Sequence, residues 1–374
     1  MCLQNSMIFK LAIIGTVGLP AKYGGWETLS EQLIIYLDQK YEISLYCSSM
    51  SYASQLVKYR NANLIYLPLQ ANGVQSIFYD IVSMLHAYRK NDVLLILGVS
   101  GCVALPFLKL LTNNKIVVNI DGYEWKRTKW SALAKKFLKF SEAVAVKYSD
   151  AIITDNKVIQ DYVRSEYRRE STLITYGGDH AITSILSKSD LQRYPLLAQP
   201  YAFSVCRIEP ENNIHVIIEA FNTSSLPLII VGNWKYSEYG KVLQDKYANK
   251  QHLHLLDSIY NSDELNLLRS NATIYIHGHS VGGTNPSLVE AMWLSLPIIA
   301  FDVSFNRIST EGCAKFFSSS QALIDSAVNL FANQAERAQL SKKMHEIAVR
   351  RYRWDSISAQ YDNLFKSLLL SNEG

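Results

Sequence analysis

The sequence predicts an α/β protein with two doubly wound parallel-sheet domains. Short apolar runs alternate with amphipathic stretches along the 374 residues, the pattern of strand–helix units in parallel sheets. This alternation lapses once, in a stretch of Ser, Lys, Asp and Pro that is typical of a linker, and then resumes. The length suits two domains of ~100–200 residues each. We therefore predict a first domain at 1–186, a linker at 187–200, a second domain at 201–351 and a closing helix at 352–374.

Predicted strands and helices alternate in both halves. In the first half we expect strands at Phe9–Gly15, Ile43–Cys47, Asn63–Leu67, Val93–Leu97, Lys115–Ile120, Ala151–Thr154 and Thr172–Tyr176, with helices such as Gly25–Leu37 and Ile77–Lys90 between them. In the second half we expect strands at Tyr201–Cys206, Leu228–Val231, His252–Leu256, Thr273–Ile276 and Leu296–Ala300, before helices near Ser320–Ala332, Ala335–Tyr352 and Asp355–Leu370. Ligands of such sheets bind at the carboxyl ends of the strands, so we expect one interdomain cleft.

Composition excludes several classes of protein. The hydrophobic fraction of 48% is that of a globular chain and not of a disordered one. Five separated cysteines without a Cys-x-x-Cys pair argue against a disulfide scaffold or a cysteine zinc site and favour a reducing, cytoplasmic compartment. No secretory signal is visible, and the apolar run Val93–Leu108 is shorter than a membrane span, so we expect a soluble protein. The net charge of +4 is too mild for a nucleic-acid binder.

A glycine-rich segment, Gly15–Glu27, follows the first strand and precedes a helix. Its glycines would let the backbone approach a ligand closely, and the helix start offers N–H groups to an anion. The segment matches neither the dinucleotide fingerprint nor the phosphate loop, which disfavours a dehydrogenase or an NTPase. The alternative is a long loop without a ligand. The candidate ligand-binding residues here are Gly15, Gly18, Tyr23, Gly24, Gly25 and Trp26.

A second glycine-rich segment, His277–Met292, ends a strand and opens a helix at Pro286. Backbone N–H groups at 283–285 would point at a phosphate, and Glu290, about one turn inside the helix, would accept hydrogen bonds from a ribose diol. The alternative is a solvated helix glutamate, which the apolar neighbours of Glu290 disfavour. His277 and His279 are equally well explained as structural histidines, and no third ligand suggests zinc. The candidate ligand-binding residues here are His279, Gly283, Thr284, Asn285, Ser287 and Glu290.

Residues 126–147 account for the entire positive net charge of the chain. They contain seven basic residues and one carboxylate, a net charge of +6, so the rest of the chain sums to −2. Apolar side chains interleave with this charge at helical spacing: Trp130, Leu133, Phe137, Leu138 and Phe140. Two interpretations stay open, a helix on an anionic membrane or a core-facing stripe with solvated lysines. The candidate acceptor-side or membrane-side residues are Trp26, Glu124, Lys126, Arg127, Lys129 and Trp130.

Four segments in order resemble glycosyltransferase family 4. They are Gly18–Glu27, Asp121–Arg127, Gly278–Ser287 and the closing Tyr352–Asp355, and the likeness spans nearly the whole chain. Within that family they resemble a bacterial subgroup that includes rhamnosyltransferases of capsule, O-antigen and cell-wall polysaccharide assembly.

The resemblance implies a GT-B fold of two Rossmann-like domains facing a cleft. It implies that the first domain takes the acceptor, that the second holds the nucleotide diphosphate, and that the last helix crosses back to the first domain. Members of the family are retaining and metal-independent, and the chain contains no Asp-x-Asp. We therefore expect no metal site and no cofactor.

The sequence departs from the family pattern at two positions. The family's first glutamate, eight residues before Glu290, falls on Gly282, so the resemblance assigns its role to His279 or Asn285. Of the phosphate-binding Arg and Lys, five residues apart, Arg207 is present but the lysine position is Asn212. The histidine that members often carry after a first-domain strand is Asp121 here, for which a helix N-cap is the alternative. Tyr176–Asp179 resembles the hinge-side loop beside the donor.

The resemblance implies transfer of a sugar, with dTDP-L-rhamnose as the expected donor. The expected acceptor is a polyprenyl-diphosphate-linked saccharide at the inner face of the cytoplasmic membrane. Arg207 would stabilise the diphosphate, Glu290 would hold the ribose, Gly18, Tyr23 and Gly24 would line the donor–acceptor junction, and Asp121 would lie near the reacting centre. The alternatives are a GT-B nucleotide-sugar 2-epimerase and a non-catalytic nucleotide-sugar-binding homologue. The sequence leaves the nucleobase, the linkage and the oligomeric state open.

Overall fold

The computed structural model describes residues 8–21, 24–120, 122–127 and 130–370. They form two compact units, the first ending at Ile174 and resuming at Asp355, the second comprising Thr175–Trp354. Each unit is built on its own sheet of mainly parallel strands with helices between them. The predicted α/β fold with two parallel-sheet domains is confirmed.

The first unit contains an eight-stranded sheet. Its strands are β1 (Phe9–Ile14), β2 (Tyr41–Ser48), β3 (Lys58–Tyr59), β4 (Ala62–Leu67), β5 (Val93–Leu97), β6 (Lys115–Ile120), β7 (Ala151–Thr154) and β8 (Thr172–Leu173). Their order is β3-β4-β2-β1-β5-β6-β7-β8, and all pairs are parallel except β3 with β4. The central strands are continuous apolar runs because helices cover both faces of such a sheet. The helices of this part are α1 (Gly25–Leu37), α2 (Gln75–Ala87), α3 (Leu105–Leu111), α4 (Ala132–Tyr148) and α5 (Lys157–Tyr167).

The second unit contains six parallel strands. They are β9 (Ala202–Val205), β10 (Leu228–Val231), β11 (Leu253–Leu256), β12 (Ile274–His277), β13 (Ile298–Phe301) and β14 (Lys315–Phe317), in the order β11-β10-β9-β12-β13-β14. Its helices are α6 (Lys188–Arg193), α7 (Ile214–Asn222), α8 (Glu238–Tyr247), α9 (Ser262–Ser270), α10 (Pro286–Trp293), α11 (Ser304–Ser309), α12 (Ser320–Ala332) and α13 (Gln334–Arg351). The position of β9 beside β12 brings the loops that follow these two strands to the same edge of the sheet.

The last helix, α14 (Trp354–Leu370), continues from the second unit into the first. Asp362 on this helix accepts hydrogen bonds from Lys40 Nζ at 2.8 Å and from Tyr41 Oη at 2.9 Å. Asn119 Nδ2, on β6, donates to Tyr361 Oη at 2.8 Å. Residues 355–370 are therefore fixed to the first unit by buried polar contacts.

Three elements differ from the sequence prediction. β3 and β14 were not predicted, because two or three residues that include a lysine carry too little apolar pattern. The predicted linker contains α6, which a capping box between Ser187 and Asp190 starts.

No helix among the described residues has the length and hydropathy needed to cross a membrane.

The apolar stripe predicted in residues 126–147 is divided by the structure. Leu138 on α4 is buried, whereas Leu133 and Phe140 are exposed by 80% and 60%. The interpretation of the whole stripe as core-facing is therefore wrong, and the outward part of α4 needs another explanation.

Candidate functional site in the second unit

Two loops at the carboxyl edge of the second sheet are joined by hydrogen bonds. One follows β9 and contains Arg207 and Asn212, and the other follows β12 and contains His279 and Ser280. The Nδ1 atom of His279 lies 2.8 Å from Asn212 Oδ1, and Ser280 N donates to Glu211 O at 2.9 Å. Asn212 Nδ2 donates to Arg207 O at 2.7 Å. Because Nδ2 of Asn212 is the donor, Oδ1 accepts, and Nδ1 of His279 carries the proton of this bond.

Gly282 lies against the ring of His279. Its φ of +148° is in the region that L side chains rarely adopt. A Cβ at this position would also lie 2.8 Å from His279 Nε2. Since His279 is held by Asn212, positions 212 and 282 belong to one arrangement with His279 at its centre.

The side chain of Glu290 is largely buried and contacts the side chains of Arg269 and His180. It lies about one turn inside α10, whose N-cap Asn285 accepts from Ser287 N at 3.0 Å. Arg269, on α9, donates to Oε2 of Glu290, and His180 Nε2 lies 3.1 Å from Oε1. The side chain of Glu290 is 12% exposed, so the alternative of a solvated helix glutamate is wrong.

The pKa of Glu290 reflects these partners. Burial raises this pKa, but the charge of Arg269 and the hydrogen bonds from His180 and Arg269 outweigh burial and lower it to about 2. Glu290 is therefore a carboxylate at neutral pH. Because each carboxylate oxygen has two lone pairs, both retain acceptor capacity for a ligand hydroxyl.

His180 connects Glu290 to the start of α14. Trp354 Nε1 lies 2.9 Å from His180 Nδ1, and an indole N–H can only donate. His180 Nδ1 therefore accepts, which leaves the proton on Nε2 to be donated to Glu290. Asp179 Oδ1 accepts from Trp354 N at 2.9 Å, and Gly178 N donates to Tyr352 O at 2.8 Å. The predicted hinge-side loop thus holds the beginning of α14 within the second unit.

His277 is buried at the end of β12. It is 4% exposed, its ring stacks near that of Tyr275, and its Nε2 has no hydrogen-bond partner among the described residues. Burial lowers the pKa of His277 to about 3, so this ring is neutral. These properties are those of a structural histidine and not of a histidine that contacts a bound ligand at the surface.

Other predicted residues of this unit lie around the same edge. Arg207 Nε lies 3.7 Å from Glu209 Oε2, and the side chain of Arg207 is 37% exposed. Thr284 is buried, and Ser287 Oγ donates to Asn285 Oδ1 at 2.8 Å. The carbonyl oxygen of the Asn285 side chain is therefore engaged in capping α10.

The glycine segment of the first unit packs on its own sheet. A Cβ on Gly15 would collide with the carbonyl oxygen of Leu97, and one on Gly18 would lie 2.9 Å from Cys47 Cβ. Packing within the unit therefore also requires glycine at these two positions, and their predicted role in ligand approach stays a prediction. Glu27, which the sequence did not single out, is 3% exposed and accepts from Val17 N at 2.7 Å. Gly24, Gly25 and Trp26 lie at the start of α1.

The acceptor-side candidates of the first unit form local contacts. Glu124 pairs with Arg127 at 2.7 Å and accepts from Trp130 Nε1 at 3.0 Å. Lys126 Nζ lies 3.7 Å from the centre of the Tyr123 ring. Tyr23, Asp121 and Lys129 lie outside the described residues, so their predicted roles stay predictions.

Sequence reasoning did not find Arg269, His180 or Glu27. Arg269 and His180 contact Glu290 from distant positions in the chain that no local motif marks, whereas Glu27 ends the glycine-rich segment and its contact with Val17 was not predicted. Within the ranges that the structure describes, no group of three or more His, Cys, Asp or Glu side chains is arranged to hold a metal ion.

Two family models match the chain. Residues 8–179 match a domain of unknown function, DUF1972, and residues 190–346 match glycosyl transferases group 1. The match to glycosyl transferases group 1 lies within the second unit. No curated protein sequence matches the chain.

Solved structures resemble this chain over almost its whole length. Sucrose-phosphate synthase from Thermosynechococcus elongatus superposes with a TM-score of 0.82 at 16% identity, covering 97% of this chain and 100% of that one. HepE of Anabaena in complex with UDP gives 0.76 at 14% identity, covering 96% and 100%. A putative UDP-N-acetylglucosamine 2-epimerase from Listeria monocytogenes gives 0.68 at 11% identity, covering 98% of each chain. The fold is therefore that of the GT-B glycosyltransferases.

Proposed function

We propose that this protein transfers a sugar from a nucleoside diphosphate to an acceptor and binds the donor at the carboxyl edge of the second sheet. The observation that carries the proposal is Glu290, an ionised and largely buried carboxylate one turn inside α10, in a glycosyltransferase group 1 domain. The N-terminus of α10 offers partial positive charge to the diphosphate, and Glu290 offers an acceptor to the ribose hydroxyls.

Arg207 is the proposed cationic partner of the leaving diphosphate. It follows β9, whose neighbour in the sheet is β12, and the Asn212–His279 bond ties the two loops together. A guanidinium at this edge would stabilise the negative charge that develops as the sugar–phosphate bond breaks. Since position 212 holds Asn and not a second cationic residue, Arg207 and the N-terminus of α10 together would stabilise the negative charge of the diphosphate.

The proposed chemistry is retaining transfer without a metal ion. The acceptor hydroxyl attacks the anomeric carbon from the side that the diphosphate leaves, and the leaving phosphate takes the proton. The protein then contributes positioning and charge stabilisation rather than a strong base. The resemblance of four sequence segments to family 4 supports this mechanism, and unchanged turnover in EDTA is the expected result.

We propose L-rhamnose from dTDP-L-rhamnose as the donor group and a polyprenyl-diphosphate-linked saccharide as the acceptor. The resemblance to the bacterial rhamnosyltransferase subgroup supports this choice. HepE, a structural neighbour, was solved with UDP and with UDP-glucose, so UDP-sugars belong in the same test.

A donor screen tests the proposal. Purified protein is incubated with dTDP-rhamnose, UDP-glucose or UDP-N-acetylglucosamine and with synthetic lipid-diphosphate acceptors, and products are analysed by mass spectrometry. A deoxyhexose added to the acceptor supports the proposed donor, and a hexose added from UDP-glucose overturns rhamnose but keeps the transferase. Nucleotide binding without transfer to any acceptor favours a non-catalytic homologue.

An epimerase is the alternative from another class of enzyme. The putative 2-epimerase of Listeria shares the fold, but the family model matched by residues 190–346 is that of glycosyltransferases. Incubation with labelled UDP-N-acetylglucosamine and no acceptor separates the two, because an epimerase alone would form the epimer.

A further inference from the structure

Three helices of the first unit expose large apolar side chains. Six of these side chains are at least 60% exposed: Val74, the N-cap of α2, and Phe78 on α2, Phe107 and Leu110 on α3, and Leu133 and Phe140 on α4. Within each helix the spacing is three, four or seven residues, so each pair lies on one face. We call the outward face of α2, α3 and α4 the three-helix surface.

The topology places these three helices side by side. α2, α3 and α4 connect β4 to β5, β5 to β6 and β6 to β7, and each connection advances in the same direction across the sheet. Parallel connections are right-handed, so all three helices lie on the same face of the sheet. α3 packs against α4, and the helical turn at 102–104 contacts both α2 and α4. The exposed side chains therefore belong to one continuous surface.

The exposed charged side chains on α2, α3 and α4 themselves are basic. The only acidic residues of α2, α3 and α4, each of which is described throughout, are Asp80 and Glu142, and they are 3% and 1% exposed. The basic residues are Lys135, Lys136 and Lys147, together with Lys109, which pairs with Asp150, and Lys139, which pairs with Glu142 and with Glu166 of α5. The exposed positions of α4 are Ala132, Leu133, Lys136, Phe140 and Lys147, so apolar and basic side chains alternate along the helix. Large apolar side chains interleaved with lysines and without exposed carboxylates match the interface of an anionic bilayer.

We propose that the three-helix surface docks the protein on an anionic lipid bilayer. Its apolar side chains would enter the headgroup region, and its lysines would contact acidic lipids. Pairing with a second copy through the same surface is disfavoured because it would oppose lysines to lysines. The proposal deepens the proposed function, since docking would bring the enzyme to a lipid-linked acceptor, but vesicle binding can be measured without any transfer.

Co-sedimentation with vesicles tests the docking. The wild-type protein is mixed with phosphatidylcholine vesicles or with vesicles that also contain phosphatidylglycerol, at ionic strengths of ~0.1 M and ~1 M, where the Debye length is ~10 Å and ~3 Å. Leu110→Glu with Leu133→Glu removes apolar contacts, and Lys136→Glu with Lys147→Glu reverses charge. Ile185→Glu and Lys342→Glu are the matched controls, because these side chains are exposed by 91% and 80% in the second unit.

We expect the wild-type protein to bind the phosphatidylglycerol vesicles and to be released at high salt. Each double variant should lower the partition coefficient at least tenfold, since one lysine near an anionic surface contributes ~1 kcal/mol, about fivefold. The controls should stay within twofold of the wild type. Far-UV circular dichroism and UDP binding on the same samples establish that each variant is folded.

Three results would overturn the docking proposal. The first is no binding of the wild type to phosphatidylglycerol vesicles, and the second is a control that weakens binding as much as the surface variants. The third is a dimer, seen by sedimentation velocity, that Leu110→Glu dissolves while vesicles are not bound. Transfer to a short-chain soluble acceptor, assayed in parallel, separates a failure of docking from a failure of the proposed function.

Discussion

His279 Nδ1 lies 2.8 Å from Asn212 Oδ1, and the same imidazole ring occupies the space in which a side chain at Gly282 would lie. One histidine thus links the loop after β9 to the loop after β12 and determines which residue fits at 282. Positions 212 and 282 are for this reason structurally dependent on each other.

Substitution of Gly282 tests this dependence. Gly282→Ala should lower the free energy of unfolding by about 1–3 kcal/mol through backbone strain, and by more through the contact with His279. In a His279→Ala background the same substitution should cost less, because the contact is gone. Gly312→Ala is the control, since its φ is +69° and nothing lies within 4 Å of a Cβ there. Urea denaturation of the wild type, the two single variants, the double variant and the control measures these losses, and strictly additive losses would contradict the arrangement.

Neutralising Glu290 should destabilise the second unit. Arg269 is 4% exposed, so Glu290→Gln leaves a buried cation without its anion, at a cost of about 3–5 kcal/mol. The pKa of Glu290 is lowered to about 2 from 4.5, so its stabilisation is present above pH 4.5 and is lost as the pH falls toward 2. The difference in unfolding free energy between wild type and variant should shrink across that window. Glu346→Gln, at a side chain that is 60% exposed, should show little difference at any pH.

His277 should make the fold sensitive to acid at a higher pH than Glu290 does. Burial lowers the pKa of His277 to about 3, whereas a histidine of the unfolded chain titrates near ~6.5. Between these values only the unfolded chain binds the proton, so stability falls as the pH decreases, by up to ~1.4 kcal/mol per unit. His277→Phe should flatten the dependence of the unfolding free energy between pH 6.5 and pH 4. Parallel curves for the two proteins would show that the ring is protonated in the fold.

The indole of Trp354 should act on Glu290 through His180. Trp354→Phe removes the N–H that His180 Nδ1 accepts, and His180→Gln removes the donor to Glu290 Oε1. Each substitution should lower the unfolding free energy by about 0.5–1.5 kcal/mol. The double variant should lose less than the sum, because both substitutions interrupt the same chain of hydrogen bonds. Additive losses in denaturant titrations would mean that the two bonds are independent.

Local patterns were enough to predict much of the fold. The apolar runs gave most strands, α1 begins and ends at the predicted residues, and Pro286 does start α10. The burial of Glu290 also followed from its apolar neighbours. The partners of Glu290 could not be predicted from local patterns, since Arg269 lies 21 residues and His180 lies 110 residues before it in the chain. Only the order of strands, with β9 beside β12, brings Asn212 to His279, and sequence periodicity does not encode that order.

Calorimetric titration with UDP and dTDP tests the location of the donor most directly. If the diphosphate and ribose bind where β12 leads into α10, Glu290→Gln and Arg207→Ala should each weaken binding by about 1.5–3 kcal/mol, roughly 10-fold to 150-fold in Kd. The exposed Glu346→Gln control should bind as the wild type does. Unchanged affinity in both folded site variants would contradict the account and move the nucleotide elsewhere in the protein.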